Sequence, residues 1–301
     1  MTISGRSALI AILLALHVTA GAFAENGSKV LLASSGRGPA VGDRWFQVDE
    51  EIQKIRSKVT IGAQEPRNED VSKIVKYRVV HETLAVAGKA VTKERITIER
   101  WSALTDPKEP EDKSLSGKTV VIEHAGLRPR ITYEGGDSGV TVEGKKWVEQ
   151  SLAKFDPMAQ VDKIFPAAPV EPDSEWTLDT KKLADEIFKG TEIDGAKSSA
   201  KGVLKNVHVE DGIKTGDIEI KILLQLKQVL DNPVEWKEGG LVDLTITVQG
   251  SLEPEKSRKR SVRMDLKLAG RADQESTSGT ISVKMDMKIQ TNLASGDMPA
   301  K

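Results

Sequence analysis

Apolar and polar residues alternate through most of the second half of the chain. Val262, Met264, Leu266 and Leu268 are set against Arg263, Asp265 and Lys267, and Ile281, Val283, Met285, Met287 and Ile289 against Ser282, Lys284, Asp286 and Lys288. A period of two is that of a strand with one buried face. Between these runs Gly270 to Gly279 is polar and turn-prone, so the pattern predicts a long antiparallel hairpin. Val242 to Val248 repeats the alternation, as does Ile218 to Leu226 behind the turn residues Asp211-Gly212 and Gly216-Asp217. The first half shows the habit more weakly, at Val71 to Thr83, Arg95 to Trp101, Thr119 to His124 and Arg130 to Tyr133.

Two segments depart from it. Lys145 to Ile164 places Trp147, Leu152, Phe155, Val161 and Ile164 at roughly helical spacing, and Pro157, which lacks the N–H for a helical bond, divides it into two short helices. Residues 145–165 therefore read as a helical connector. Thr180 to Phe188 reads as a second helix, capped by Asp179 and carrying Leu183, Ile187 and Phe188 on one side. Both would cover a sheet.

An echo flanks the connector. Pro39-Ala40-Val41-Gly42-Asp43-Arg44-Trp45 precedes the first set of strands and Pro169-Val170-Glu171-Pro172-Asp173-Ser174-Glu175-Trp176 the second, each a turn that delivers a buried tryptophan to the start of a strand. Asp43, Trp45, Asp173 and Trp176 are the structural turn residues of this reading. The placement suggests a duplicated unit, with β halves at 39–144 and 166–294 and a tail at 295–301. The expected fold is mostly β: long antiparallel strands in a curved sheet or open half-barrel of two similar halves, with short covering helices.

The order of these features, with the Gly135-Gly136-Asp137 turn, the short helical connector and Phe165-Pro166-x-x-Pro169-Val170 ahead of Asp173 and Trp176, resembles a family of secreted bacterial β-rich proteins with paired Gly-Asp-x-Trp turns. The second copy departs from the compact turn. The resemblance implies architecture and export, and no activity.

Residues 1–24 have the pattern of a secretory signal peptide: Arg6, the apolar run Ala8 to Leu16, and the small-x-small site Ala22-Phe23-Ala24. The apolar run is less than half of the roughly 20 residues a membrane span needs. Cleavage would leave a flexible segment at 25–38 and no membrane-spanning stretch. The chain has no cysteine, which removes disulfides, thiol nucleophiles, cysteine metal sites and a lipidated cysteine. Without Arg6 the 44 basic and 45 acidic residues become 43 and 45, a balance that favours neither nucleic acid nor an anionic membrane. The location expected is periplasmic or extracellular.

Gly136-Asp137-Ser138-Gly139 matches the nucleophile string of chymotrypsin-like proteases, with His81 and His124 upstream and Asp106 or Asp112 between His81 and Ser138. His81 lies mid-strand, only 57 residues before Ser138, and the same glycines are what a hairpin loop requires. Ser116-Gly117-Lys118-Thr119 imitates a phosphate loop, yet Asp112 stands where its first glycine belongs and a strand follows instead of a helix. His81, His124 and His208 lack the spacing of a zinc site and read as separate surface or strand residues. The abundant carboxylates read as a solvated face rather than a glycosidase pair. Lys256, Arg258, Lys259 and Arg260 read as a solubilising strand entrance, without aromatics for base stacking. No catalytic, cofactor-binding or metal residue is assigned. The function expected is that of an exported non-enzymatic envelope protein holding an apolar small molecule or lipid in a concave sheet; the alternatives are a structural module docking an envelope protein, or an exported hydrolase.

Overall fold

The computed structural model describes residues 22–23, 31–32, 40–62, 64–88, 90–105, 110–124, 129–152, 166, 169–187, 191–229, 234–253, 256–257, 259–276 and 279–298. Most of the leader and the connector beyond residue 152, including Pro157, lie outside them. Strands β1 (Ala22–Phe23) and β2 (Leu31–Leu32) pair with each other. All others form one antiparallel sheet: β3 (Arg44–Ile61), β4 (Arg67–Ala87), β5 (Ala90–Leu104), β6 (Thr119–Glu123), β7 (Arg130–Glu134), β8 (Glu175–Thr177), β9 (Thr191–Ile193), β10 (Ser199–Glu210), β11 (Ile213–Val229), β12 (Val234–Ser251), β13 (Arg260–Ser276) and β14 (Gly279–Asp297). Its order is β7-β6-β5-β4-β3-β14-β13-β12-β11-β10-β8, with β9 added to β11. The chain runs outward from β3 to β7, crosses to the far edge at β8, and returns strand by strand until β14 pairs with β3 from Ile281–Ile61 to Asp297–Trp45. The sheet stays open, with β7 and β8 at its edges.

The strands are longer than the alternation marked. The loop expected at Gly270 to Gly279 is instead strand almost throughout, because β13 and β14 stay paired to Ser276–Gly279. Gly216-Asp217 is likewise inside β11, whereas Asp211-Gly212 makes the expected tight turn with positive φ at both residues. The tail begins after β14, at Met298 rather than at 295. Strands β3 and β10 carry no clear apolar alternation. The connector starts early: α1 (Val142–Trp147) is capped by Thr141, whose side chain accepts from the Gly144 N–H, and continues as a π turn over Val148–Leu152. Helix α2 (Thr180–Ile187) starts where expected, with Asp179 accepting from Lys181 and Lys182 N–H.

One face of the sheet is covered, and the cross-strand register lines its side chains into rows. One row runs Leu204, Ile218, Val248, Val262, Leu293, Asp49, Tyr77, Trp101; the next runs Gly202, Ile220, Ile246, Met264, Thr291, Glu51, Val75, Ala103. Two apolar cores result. The larger spans β10 to β14 with Val170, Trp176, Leu178 and Leu183 against it, and the smaller spans β4 to β6 with Trp147, Val148 and Leu152 against it. Ile246 is fully buried at the middle of the larger core. Ile246→Ala is expected to cost about 2–4 kcal/mol, through lost burial and the cavity left behind. Urea denaturation reads it, and a loss under 1 kcal/mol would mean the face is loosely filled.

Candidate functional site

Between the two cores lies β3, and its inward positions are polar. Asp49, Glu51 and Gln53 stand on rows to which β11, β12 and β13 bring apolar side chains, Gln47 lies one row beyond Asp49, and Thr291 and Ser295 flank them on β14. Asp49 is 2 % exposed, Gln53 3 % and Glu51 7 %. Isolated charges are costly to desolvate, so such groups need hydrogen bonds. The seam supplies several: the Gln47 amide donates to the Tyr77 hydroxyl at 2.5 Å, the Gln53 amide donates to Glu51, and Tyr77 is bonded to Asp49. Burial, reinforced by the charges of Asp49 and Glu51, pushes the Tyr77 hydroxyl well above its ordinary value and keeps it a neutral donor. Aromatic rings wall this side. Trp147 meets Tyr77 edge-on at 5.0 Å and Trp101 at 5.8 Å between centroids.

The seam continues past Gln47 toward Trp45, which lies flat on the His81 ring at 3.9 Å. His81 and His124 share one carboxylate: His81 Nδ1 is 3.0 Å and His124 Nε2 3.1 Å from the two oxygens of Glu94. Burial pushes the Glu94 carboxyl up, but the hydrogen bonds and charges of the two imidazoles outweigh it and hold its pKa at about 2. The buried His81 Nε2 has no hydrogen-bond partner among the described residues. The Trp101 indole N–H, equally buried, has none either. Among the described residues no group of three or more His, Cys, Asp or Glu side chains is placed to hold a metal ion.

No protein-family model matches the chain, and no curated protein matches it. Among solved structures it is similar to lipovitellin, from a study of its lipid–protein interactions, at 9 % identity and TM-score 0.34, covering 86 % of this chain and 26 % of that one. The chain thus spans about a quarter of lipovitellin's length. It is also similar to the LolA superfamily protein NE2245 of Nitrosomonas europaea, at 12 % identity and TM-score 0.15, covering 89 % and 91 % of the two chains. A DUF1329 family protein of Desulfovibrio piger matches at 8 % identity and TM-score 0.11, covering 81 % and 84 %. With TM-scores this low, none of these folds superposes on the chain as a whole.

The four turn residues fall at the heads of β3 and β8. The Asp43 carboxylate accepts from Ala40 N–H, and its backbone and that of Gly42 exchange bonds with Thr83. Asp173 takes a positive φ and donates its N–H to the Leu204 carbonyl. Trp176 is buried over Gly202, while Trp45, at the head of β3 opposite His81 and Asp297, is only half-buried, against expectation. Ser138 sits in an exposed turn built by positive-φ Gly135, Gly136 and Gly139; Lys145 pairs with Asp137 and Lys118 donates to the Ser138 carbonyl. The upstream histidines are both committed to Glu94, so the protease string is a turn. Asp112 instead pins the start of α1 through Thr141. Ser116 of the phosphate-loop imitation bonds both backbone groups of Trp101. His81 and His124 were expected to stand apart and do not; His208 does, bonded to the carbonyl of Asn206. Arg260, expected at a solubilising entrance, is buried, donating to the Ser251 carbonyl at the rim of the seam.

A separate groove of about 510 Å³ lies where β9 pairs with β11, lined also by β12. It is lined by alternating charges, Glu192 with Lys227, Asp194 with Lys197 and Glu235 with Lys237, and is too polar for the apolar hollow expected from the sequence.

Proposed function

We propose that the chain is an exported binding protein that holds an apolar chain between the covered face of its sheet and the layer above it. The observation that carries this reading is the mismatch between the two layers. The aliphatic face of β11 to β14 is four strands wide, and a one-faced sheet must bury that face against a second layer. Among the described residues, the second layer over it is Val170, Trp176, Leu178 and Leu183 with Ala184, few side chains for so wide a face. Ile222, Leu244, Leu266 and Ile289 lie in register and are at most 5 % exposed, so an apolar chain would meet them only by displacing what covers them. The leader pattern of residues 1–24 supports export.

Titration of the purified protein with N-phenyl-1-naphthylamine, an uncharged apolar fluorophore, is expected to give saturable one-to-one binding with a rise in emission and a raised unfolding temperature. Absence of saturable binding by folded protein would remove the apolar-ligand reading. Capture of an envelope protein by the unliganded chain would then favour a docking module.

A further inference from the structure

We infer that the groove beside β9 is a second binding site, and that it takes a neutral, hydroxyl-rich ring ligand, a short oligosaccharide. This site is independent of the apolar-ligand reading. Its cavity of about 510 Å³ falls within the roughly 300–1,000 Å³ usual for small-molecule sites. Three carboxylates and three ammonium groups line it and cancel, so a ligand of either net charge meets like charges there. Two of the ion pairs, Glu192 with Lys227 and Asp194 with Lys197, stand 3.8 Å apart, too far for hydrogen bonds. Donors and acceptors therefore lie side by side at the rim with room for a guest. A hydroxyl group both donates and accepts, and so serves both kinds.

An aromatic ring in the same groove completes the match. Trp236 is half-buried and lies against Gly240 and Gly270, where an added Cβ would come within 2.9 Å of its side chain. Its indole N–H is buried without a partner among the described residues, so no hydrogen bond explains its placement. Part of its remaining surface lines the groove. The apolar C–H face of a pyranose stacks on such a ring while its hydroxyls reach outward. The backbone is irregular at this place. Strand β12 shifts register against β13 at Trp236/Glu238 and at Gly239/Leu241, with positive φ at Gly239 and Gly240. Strand β11 shifts against β12 at Gln225/Gln228 and against β9 at Leu226/Gln228. By contrast, β14 pairs with β13 and with β3 without a shift. Bulges re-aim side chains and gather beside functional sites. Gln225, Leu226, Gln228, Trp236 and Gly239, which flank these shifts, all line the groove.

Saturation-transfer NMR on the purified protein tests this with four probes: cellotetraose and maltotetraose, which are neutral, tetra-alanine, a zwitterion, and tetragalacturonate, an anion. At least one glucan is expected to bind saturably with a Kd below about 1 mM. Its affinity should stay within about twofold between 50 and 500 mM NaCl, since a neutral ligand brings no charge to screen. Trp236→Ala is expected to weaken that binding at least tenfold, and Glu192→Gln/Lys227→Met at least fivefold. Both rim side chains are about half exposed, so the second variant folds and carries the test if the first does not. Failure of both glucans to bind the folded protein overturns the inference. So does tetra-alanine or tetragalacturonate binding as tightly as the better glucan, the former marking a peptide groove and the latter an anion site. A folded variant that binds like the parent also overturns it. None of these outcomes touches the apolar-ligand reading, which the fluorophore tests alone.

Discussion

Gly202→Val is expected to destabilise the protein by about 3–5 kcal/mol, as much as Trp176→Ala, with the double substitution costing little more than either alone. Gly202 is the central partner of β8, paired with Trp176, and a Cβ there would overlap the indole. Overpacking of this kind is relieved by whichever partner is held least firmly. Here that is β8, a strand of only three residues paired to Lys201, Gly202 and Val203. The valine therefore expels the tryptophan, and the cost becomes that of losing a buried aromatic from the larger core. Urea denaturation of the two single variants and the double variant measures the coupling. Amide exchange at Asp173 and Leu178, which bond the β10 carbonyls of Leu204 and Ala200, should accelerate in all three. A Gly202→Val variant within 1 kcal/mol of the parent would show that the indole does not rest there.

Glu94→Gln is expected to cost about 2–4 kcal/mol at pH 7, and the difference from the parent should shrink as the pH falls. The folded carboxyl titrates near 2 against an ordinary 4.5, held down by His124 and His81 against the opposing effect of burial. A depressed pKa contributes stability that is fully present above 4.5 and is lost as the pH drops through about 2. The gap of some two and a half units corresponds to about 3 kcal/mol. The side chain is 16 % exposed, so solvent screening removes little of this. Other carboxylates lower in pKa, such as Asp112 and Glu253, also weaken the fold in acid, so the informative quantity is the difference between parent and variant at pH 7, 4.5 and 3. A constant difference would mean that the two imidazoles do not hold Glu94 in its charged form.

The second-half strands were legible because each places an aliphatic side chain at every second position, and nothing but a one-faced sheet accounts for that. Tight turns such as Asp211-Gly212 were legible for a local reason, since positive φ narrows the choice of residue. Strand β3 escaped because its inward positions Gln47, Asp49, Glu51 and Gln53 reverse the pattern, so the feature that makes it a candidate site also hides the strand. Strand β10 escaped because Ala200 and Gly202 are small to admit Trp176. The site itself joins residues 49, 77, 81, 94, 124 and 291, contributed by β3, β4, β5, the end of β6 and β14. Only cross-strand register brings these together, and register is a property of the assembled sheet. The one signal present beforehand was the acidic run Asp49-Glu50-Glu51 flanked by Gln47 and Gln53 in a segment otherwise strong in β-formers.

The meeting of β14 with β3 also orders events in time. These strands are separated by more than two hundred residues of sequence, so the sheet is completed by its most distant pairing, the slowest kind to find. Until then β3 is a bare edge eighteen residues long, the sort of surface on which chains join their neighbours. A growing chain emerging from its N-terminus must keep that edge solitary through the whole of its remaining synthesis. Two carboxylates and two amides facing inward, where valines would be sticky, let water guard the vacancy until the last strand arrives to claim it.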